Sequence, residues 1–273
     1  MNILFWNTCK KNMEGVLEEM LEEHSIDLLI LAEYPFCIAN LCNRINTVSS
    51  VQYKELQNIS CNRISGIVNG NYSVTLLSDE SRFKLIKMTN IAYEYELIIA
   101  MIHGTSSLWQ DDDTKRIGIT KFISAILAEE HKSNCEHSLA IGDFNVNPFE
   151  EACIGAFSMH GIPFPDATMN ESRKVEKTTC RKFYNPTWRF FGNRDAPYTT
   201  YYCDRRGQNT NFYWYAVDQV FIRPSLIRAF DMENFKIITK TKSHTLLGRN
   251  NIPDKAKYSD HLPLLCSLKE DLI

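Results

Sequence analysis

Apolar residues fill nearly every position of Asn2-Ile3-Leu4-Phe5-Trp6 and of Ile26-Asp27-Leu28-Leu29-Ile30-Leu31-Ala32, the pattern of strands covered on both faces. Between these runs Met13, Val16, Leu17, Met20, Leu21 and His24 recur at helical spacing, with Glu14, Glu18, Glu19, Glu22 and Glu23 on the remaining positions. That period predicts an amphipathic surface helix whose acidic face is solvated. Strand-like segments follow at Ser73 to Leu77, Phe83 to Met88 and Leu97 to Ile102, with a turn at Asn69-Gly70-Asn71.

A second helix is predicted from about Thr114 to Glu130, carrying Ile117, Phe122, Ile123, Ile126 and Leu127 inward. Ser138 to Ile141 reads as a short buried strand, and Pro148 stands where it could open a helix at its first turn. Further strands are predicted at Ala216 to Ile222 and Leu262 to Leu268. Alternating strands and helices with extra hairpins predict an α/β fold, two packed sheets flanked by helices.

A hydrophobic content of 44% over 273 residues supplies a large core, and the length alone allows one domain or two. No Pro/Gly/Ser-rich linker, low-complexity tract or solenoid repeat divides the chain, so one domain over 1–273 is expected. The net charge of −3 gives no overall attraction to polyanions, so any such contact must come from local charge. Nine scattered cysteines without a CxxC pair fit a reducing compartment better than a disulfide framework or a zinc site. With no secretory-type leader and no apolar run of bilayer length, a cytoplasmic protein with no membrane association is expected. Nothing in the pattern indicates an obligate protein partner.

Several chemically capable groups stand just after or before strand-like runs. Glu33 ends the second run, ahead of Pro35, and a hard carboxylate of this kind suits Mg²⁺, which needs only one or two; a plain surface glutamate is the competing reading. Asp143 and Asn145 in Gly142-Asp143-Phe144-Asn145 share one face if the backbone is extended, although Gly, Asp and Asn also favour a turn. His261 follows Asp260 and precedes a strand; a neutral imidazole there can take a proton from water, and a carboxylate behind it would fix its tautomer. Asp218 interrupts an apolar strand and is the leading candidate for that carboxylate, with a structural ion pair as the alternative. His103 ends another apolar run, where a lone histidine is more often structural than catalytic.

Taken in order, Asn7 in Phe5-Trp6-Asn7-Thr8, Glu33 in Leu31-Ala32-Glu33-Tyr34, His103, GDFN at Gly142 to Asn145, Asp218, and SDH at Ser259 to His261 resemble the endonuclease/exonuclease/phosphatase superfamily, which includes deoxyribonucleases and abasic-site endonucleases. GDFN and SDH carry most of that resemblance. It implies a deoxyribonuclease-like two-sheet α/β sandwich and metal-dependent phosphoester hydrolysis, with Mg²⁺ or Mn²⁺ held by Glu33, Asn7 and Asp260. By the same resemblance Asp143 and Asn145 orient nucleophile and phosphate. His261 paired with Asp218 acts as general base or phosphate contact, and His103 matches the deoxyribonuclease branch, without that branch's acidic partner in the stretch before Leu97.

The substrate is narrowed by a basic, aromatic-rich insertion at about 170–215. Between Arg173 and Arg206 nine Lys/Arg stand against three Asp/Glu, interleaved with Phe183, Tyr184, Trp188, Phe190, Phe191, Tyr198, Tyr201 and Tyr202. Cations for phosphates and rings for bases make a nucleic-acid groove, with Arg181, Arg189, Trp188 and Tyr201 as candidate contacts; a small aromatic core with a solvated basic rim is the other reading. The segments Asn185-Pro186-Thr187-Trp188-Arg189 and Tyr198 to Tyr202 resemble a bacterial branch of unassigned substrate, and Ala216-Val217-Asp218-Gln219 lacks the pattern of inositol-lipid phosphatases. The expectation is a nuclease on DNA or RNA; a phosphatase or phosphodiesterase of small or lipid esters, and a non-catalytic binding module, are the alternatives.

Overall fold

The structure, a computed structural model, describes residues 1–90, 92–105, 112–207 and 209–273. Its centre is a pair of sheets. The first has strand order Lys236–Ile237, Leu264–Ser267, Asn2–Asn7, Leu28–Ala32, Ile64–Asn69, Tyr53–Glu55. The second runs Ser73–Glu80, Phe83–Asn90, Tyr95–His103, Ser138–Asp143, Asp218–Ile222, Phe183–Tyr184, Gly161–Ile162. Each sheet is mixed: Asn2–Asn7 runs parallel to Leu28–Ala32, and Tyr95–His103 parallel to Ser138–Asp143, while most other pairs are antiparallel. The sequence-derived expectation of a two-sheet α/β sandwich is met.

The continuous apolar runs have a simple cause. On Asn2–Asn7, Ile3 and Phe5 face the core between the sheets, against Ile99, Met101, Ile141 and Val220. The alternate residues Leu4 and Trp6 face the other way, onto Leu17, Met20, Leu41 and Ile45 of helices Glu14–His24 and Ile38–Val48. Helix Asp112–Ser133 covers the outer face of the second sheet, where Phe122 and Ile126 meet Ala100, Ala140 and Phe221. Strands buried on both sides leave no polar face, so their sequences cannot alternate.

The structure departs from the periodicity at several points. Ile117 and Leu127, expected inward, are 52% and 40% exposed. The buried stripe is instead Ile119, Phe122, Ile123, Ile126 and Glu130, and a helix of 3.6 residues per turn then turns positions 117 and 127 to solvent. Pro148 lies in a turn, and the short helix nearby is Glu151–Ile154. The acidic face of the first helix is more than solvated: Glu14 and Glu18 pair with Arg44, and Glu19 and Glu23 accept hydrogen bonds from the segment Thr241 to Ser243. All nine cysteines are free. Among the described residues no helix is long and apolar enough to cross a membrane.

Candidate active site

Three neighbouring strands of the second sheet end in chemistry. Register places His103 beside Asp143 and Asp143 beside Asp218, so an imidazole and two carboxylates stand in a row on one sheet edge. Gly142 makes that row possible. Its φ is +152°, and a Cβ there would lie 2.0 Å from the Ile102 carbonyl oxygen, a contact that no side chain tolerates.

The first sheet supplies the opposing groups. Asn7 ends the strand Asn2–Asn7 and pairs in register with Ala32, one residue before Glu33. Glu33 has φ 51°, a left-handed turn off the strand end. Asn7 Nδ2 donates to Asp143 Oδ2 at 3.0 Å, which joins the two sheets at the site. The Ser259-Asp260-His261 segment closes the third side. Ser259 Oγ donates to the Asn7 carbonyl at 2.6 Å and accepts from the His261 amide at 3.0 Å, while Trp6 Nε1 donates to the His261 carbonyl at 2.9 Å.

His261 Nδ1 lies 2.8 Å from Asp218 Oδ2. Burial alone would lower the imidazole, but the facing Asp218 carboxylate, with Asp143 and Asp260 beyond it, raises it to about 10. The ring therefore carries a proton on Nδ1 toward Asp218 and presents Nε2 elsewhere. Asp143 is buried, and burial pushes its carboxyl up against the opposing pull of His261 and His103. Glu33 is more open. The His103 hydrogen bond holds its carboxyl below the usual range, with His103 Nε2 3.3 Å from Glu33 Oε1 and 3.9 Å from Asp143 Oδ2. His103 Nδ1 and Asp218 Oδ1 are enclosed with no hydrogen-bond partner among the described residues.

Asn145 is placed differently from the extended reading. It has φ 56°, and its amide donates to Asp143 Oδ1 at 2.9 Å. The two side chains are thus related by a tight Asx-type turn. Asn145 Nδ2 reaches the Gly104 carbonyl at 3.4 Å.

Of the expected substrate contacts, only Tyr201 meets the acidic cluster directly. Its ring centroid lies 4.5 Å from that of His261, and the two residues form a β-bridge. Trp188 packs on Phe149 and Phe191. Arg181 pairs with Glu130 and Glu136, joining Arg223 at the far end of the strand that begins with Asp218. Arg189 donates to the Met232 carbonyl. Neither arginine is brought to the cluster, because each already has an acceptor elsewhere.

Sequence reasoning passed over Ser259 as a brace and over Cys9. The thiol of Cys9 is pushed up by burial and by the Asp260 and Glu33 carboxylates, so it sits among the expected metal ligands. Its place two residues after Asn7 was the only signal.

The donor set fits a cation. Asp143, Asp218 and His261 each offer a ligand atom within 4.8 Å of the others and could hold a metal ion. Carboxylates gathered in a buried cluster need positive charge, and Asp218 Oδ1 is enclosed with no hydrogen-bond partner among the described residues.

The pair of mixed sheets with its flanking helices has the deoxyribonuclease-like fold seen in endonuclease/exonuclease/phosphatase proteins. The fold likeness spans 98% of the chain for each of three solved structures. An endonuclease/exonuclease/phosphatase family protein from Bacteroides thetaiotaomicron is similar with a TM-score of 0.57 at 10% identity over 97% of its own chain. TDP2 of D. rerio in complex with a single-strand DNA product is similar at 0.56, with 15% identity and 98% of that chain covered. A mannosyl-6-phosphatase of Bacteroides thetaiotaomicron is similar at 0.55, with 10% identity and 99% of that chain covered. No family model and no curated protein matches the sequence.

Proposed function

We propose that this chain is a divalent-cation-dependent phosphodiester hydrolase that acts on nucleic acid. One observation carries the reading: the sheets meet through Asn7 and Asp143 at a point where Glu33, His103, Asp218 and His261 also converge. Several acids and two histidines gathered at one point exceed what a single structural ion pair needs, and clusters of this kind concentrate at functional sites.

Glu33, Asn7 and Asp260 would hold Mg²⁺ or Mn²⁺, which would neutralise charge on the phosphoryl oxygens. Glu33 suits that task better than the buried Asp143–Asp218–His261 trio: its side chain is 29% exposed, leaving room for the waters Mg²⁺ retains, while Asp218 and His261 already spend Oδ2 and Nδ1 on each other. Asp143 presents an acceptor that orients the attacking water, and Asn145 beside it can donate to a phosphate oxygen. His261, held by Asp218, turns Nε2 toward the phosphate. His103 buttresses Glu33.

Nucleic acid is favoured over a small ester by Tyr201, which continues the site from His261 into a series of rings whose outer members, Phe212 and Phe191, are exposed. A solved structure of this fold holding single-strand DNA is in keeping with that choice, and the mannosyl-6-phosphatase marks the alternative.

The test is a panel of plasmid DNA, single-stranded DNA, RNA and bis(p-nitrophenyl) phosphate, each with Mg²⁺, Mn²⁺ or EDTA. Polynucleotide cleavage with metal and its absence in EDTA is the expected result. Turnover of the small ester alone would move the assignment to a pocket enzyme.

A further inference from the structure

We infer that the rings leading outward from His261 form a stacking platform for unpaired nucleobases, so that the protein takes single-stranded in preference to duplex nucleic acid; this rests on the nucleic-acid reading above and gives its substrate a definite form. The platform begins on the hairpin Tyr201–Tyr202/Trp214–Tyr215. Register pairs Tyr201 with Tyr215 and Tyr202 with Trp214, and alternation sends these pairs to opposite faces. The face bearing Tyr201 is the one that touches His261.

From there the rings form an unbroken path. Tyr201 and Tyr215 centroids are 6.3 Å apart, Tyr215 and Phe212 6.2 Å, Phe212 and Phe149 5.4 Å, and Phe149 and Phe191 6.1 Å. Arg205 lies over the Tyr215 ring at 4.5 Å. A small aromatic core built only for stability would bury its rings. This one buries its inner member, Tyr215 at 4%, and leaves its outer members open, Phe212 at 57% and Phe191 at 40%.

The cations point the same way. Arg181 and Arg189, the residues best suited by sequence to clamp a backbone, are engaged with Glu130 and the Met232 carbonyl. What the path offers is therefore ring surface more than phosphate contacts. Every base has a face that can stack on such rings, but bases paired within a duplex have theirs occupied.

The experiment is fluorescence anisotropy in EDTA with three labelled ligands of equal length: a single strand, its duplex, and a strand whose sugars carry no bases. Stacking contributes roughly five- to hundredfold per base, so the single strand is expected to bind at least about tenfold more tightly than either comparator. Phe191→Ala/Phe212→Ala should bring the base-bearing strand down to the affinity of the abasic one, and Phe212→Trp should keep the preference. Equal binding of the abasic strand or the duplex by the native protein overturns the platform, whatever the variants do. So does a doubly substituted protein that melts like the native one and keeps the preference. Hydrolysis of bis(p-nitrophenyl) phosphate with Mg²⁺, followed in parallel, reports the chemistry separately: turnover without base preference removes the platform alone, and base preference without hydrolysis of any phosphodiester removes the hydrolase reading while supporting the platform.

Discussion

His261 is the residue whose environment argues most directly for a task. Burial disfavours an imidazolium, yet Asp218 at 2.8 Å raises the ring to about 10. The raised value means that the pair adds stability below the ordinary histidine range near 6.5, and that this contribution is lost as pH rises through about 10. NMR titration of metal-free protein should find His261 still protonated at pH 8. In Asp218→Asn the strongest raising influence is gone while burial remains, so the ring should titrate well below its native value. A native value near 6.5 would mean that Asp218 does not govern the ring. The Asp218–His261 pair was legible from residue types alone: an acid in an apolar strand needs a partner, and a histidine beside a strand can be one. The brace through Ser259 and the turn at Asn145 were not legible, since a hydroxyl's acceptor and a positive φ depend on tertiary neighbours.

At the scale of elements, the site depends on how the strands and helices are tied together away from it. Glu19 on the first helix is held at about 2 by the Thr241 hydroxyl and the Ser243 amide. Its clasp on that segment is complete above about 4.5 and is lost as pH falls toward 2. Hydrogen-exchange protection over residues 241–244, taken relative to the intrinsic exchange rate at each pH, should therefore fall between pH 6 and pH 3, and Glu19→Ala should show low protection at both; unchanged protection would show that other contacts hold the segment. At the opposite end of the strand from Asp218, Arg223 is buried with Glu130 and stacks on Phe183 at 3.8 Å. Glu130→Ala leaves that guanidinium without its carboxylate, and denaturant unfolding should register a loss of about 3–5 kcal/mol; a change below about 1 kcal/mol, the size of an exposed pair, would mean the pair is solvated. Periodicity found the long strands because burial on both faces leaves an uninterrupted apolar run. It did not reveal the helix Ile38–Val48, although Ile38, Leu41, Cys42 and Ile45 carry helical spacing, because Asn40, Asn43, Asn46 and Thr47 are weak helix formers. It also misjudged Ile117 and Leu127, since a helix with apolar residues on several sides does not reveal which side is covered.

For the molecule as a whole, the balance of charge and aromatic surface sets how it should meet a polyanion. A net charge of −3 gives no overall attraction, and the engagement of Arg181 and Arg189 withdraws two cations of the insertion from phosphate, while exposed Lys10 stays close to Glu33. With two or three phosphate contacts, log affinity for a single strand should fall against log salt with a slope of only about −2. Arg189→Ala should leave that slope unchanged; a steep native slope that Arg189→Ala flattens would return the arginine to the interface. The basic, aromatic character of residues 170–215 was plain in sequence, but which half of that character faces the site was not, because the acceptors of both arginines lie far along the chain at Glu130 and Met232. The central claim is hydrolysis at the junction of the two sheets, and the most direct measurement is the single-turnover rate of phosphodiester cleavage in Mg²⁺ for native protein and His261→Ala, with matched melting curves. A loss of about 10²–10⁴-fold in a folded variant is predicted for a group that engages the reacting phosphate. A folded His261→Ala protein that cleaves at the native rate would contradict the account.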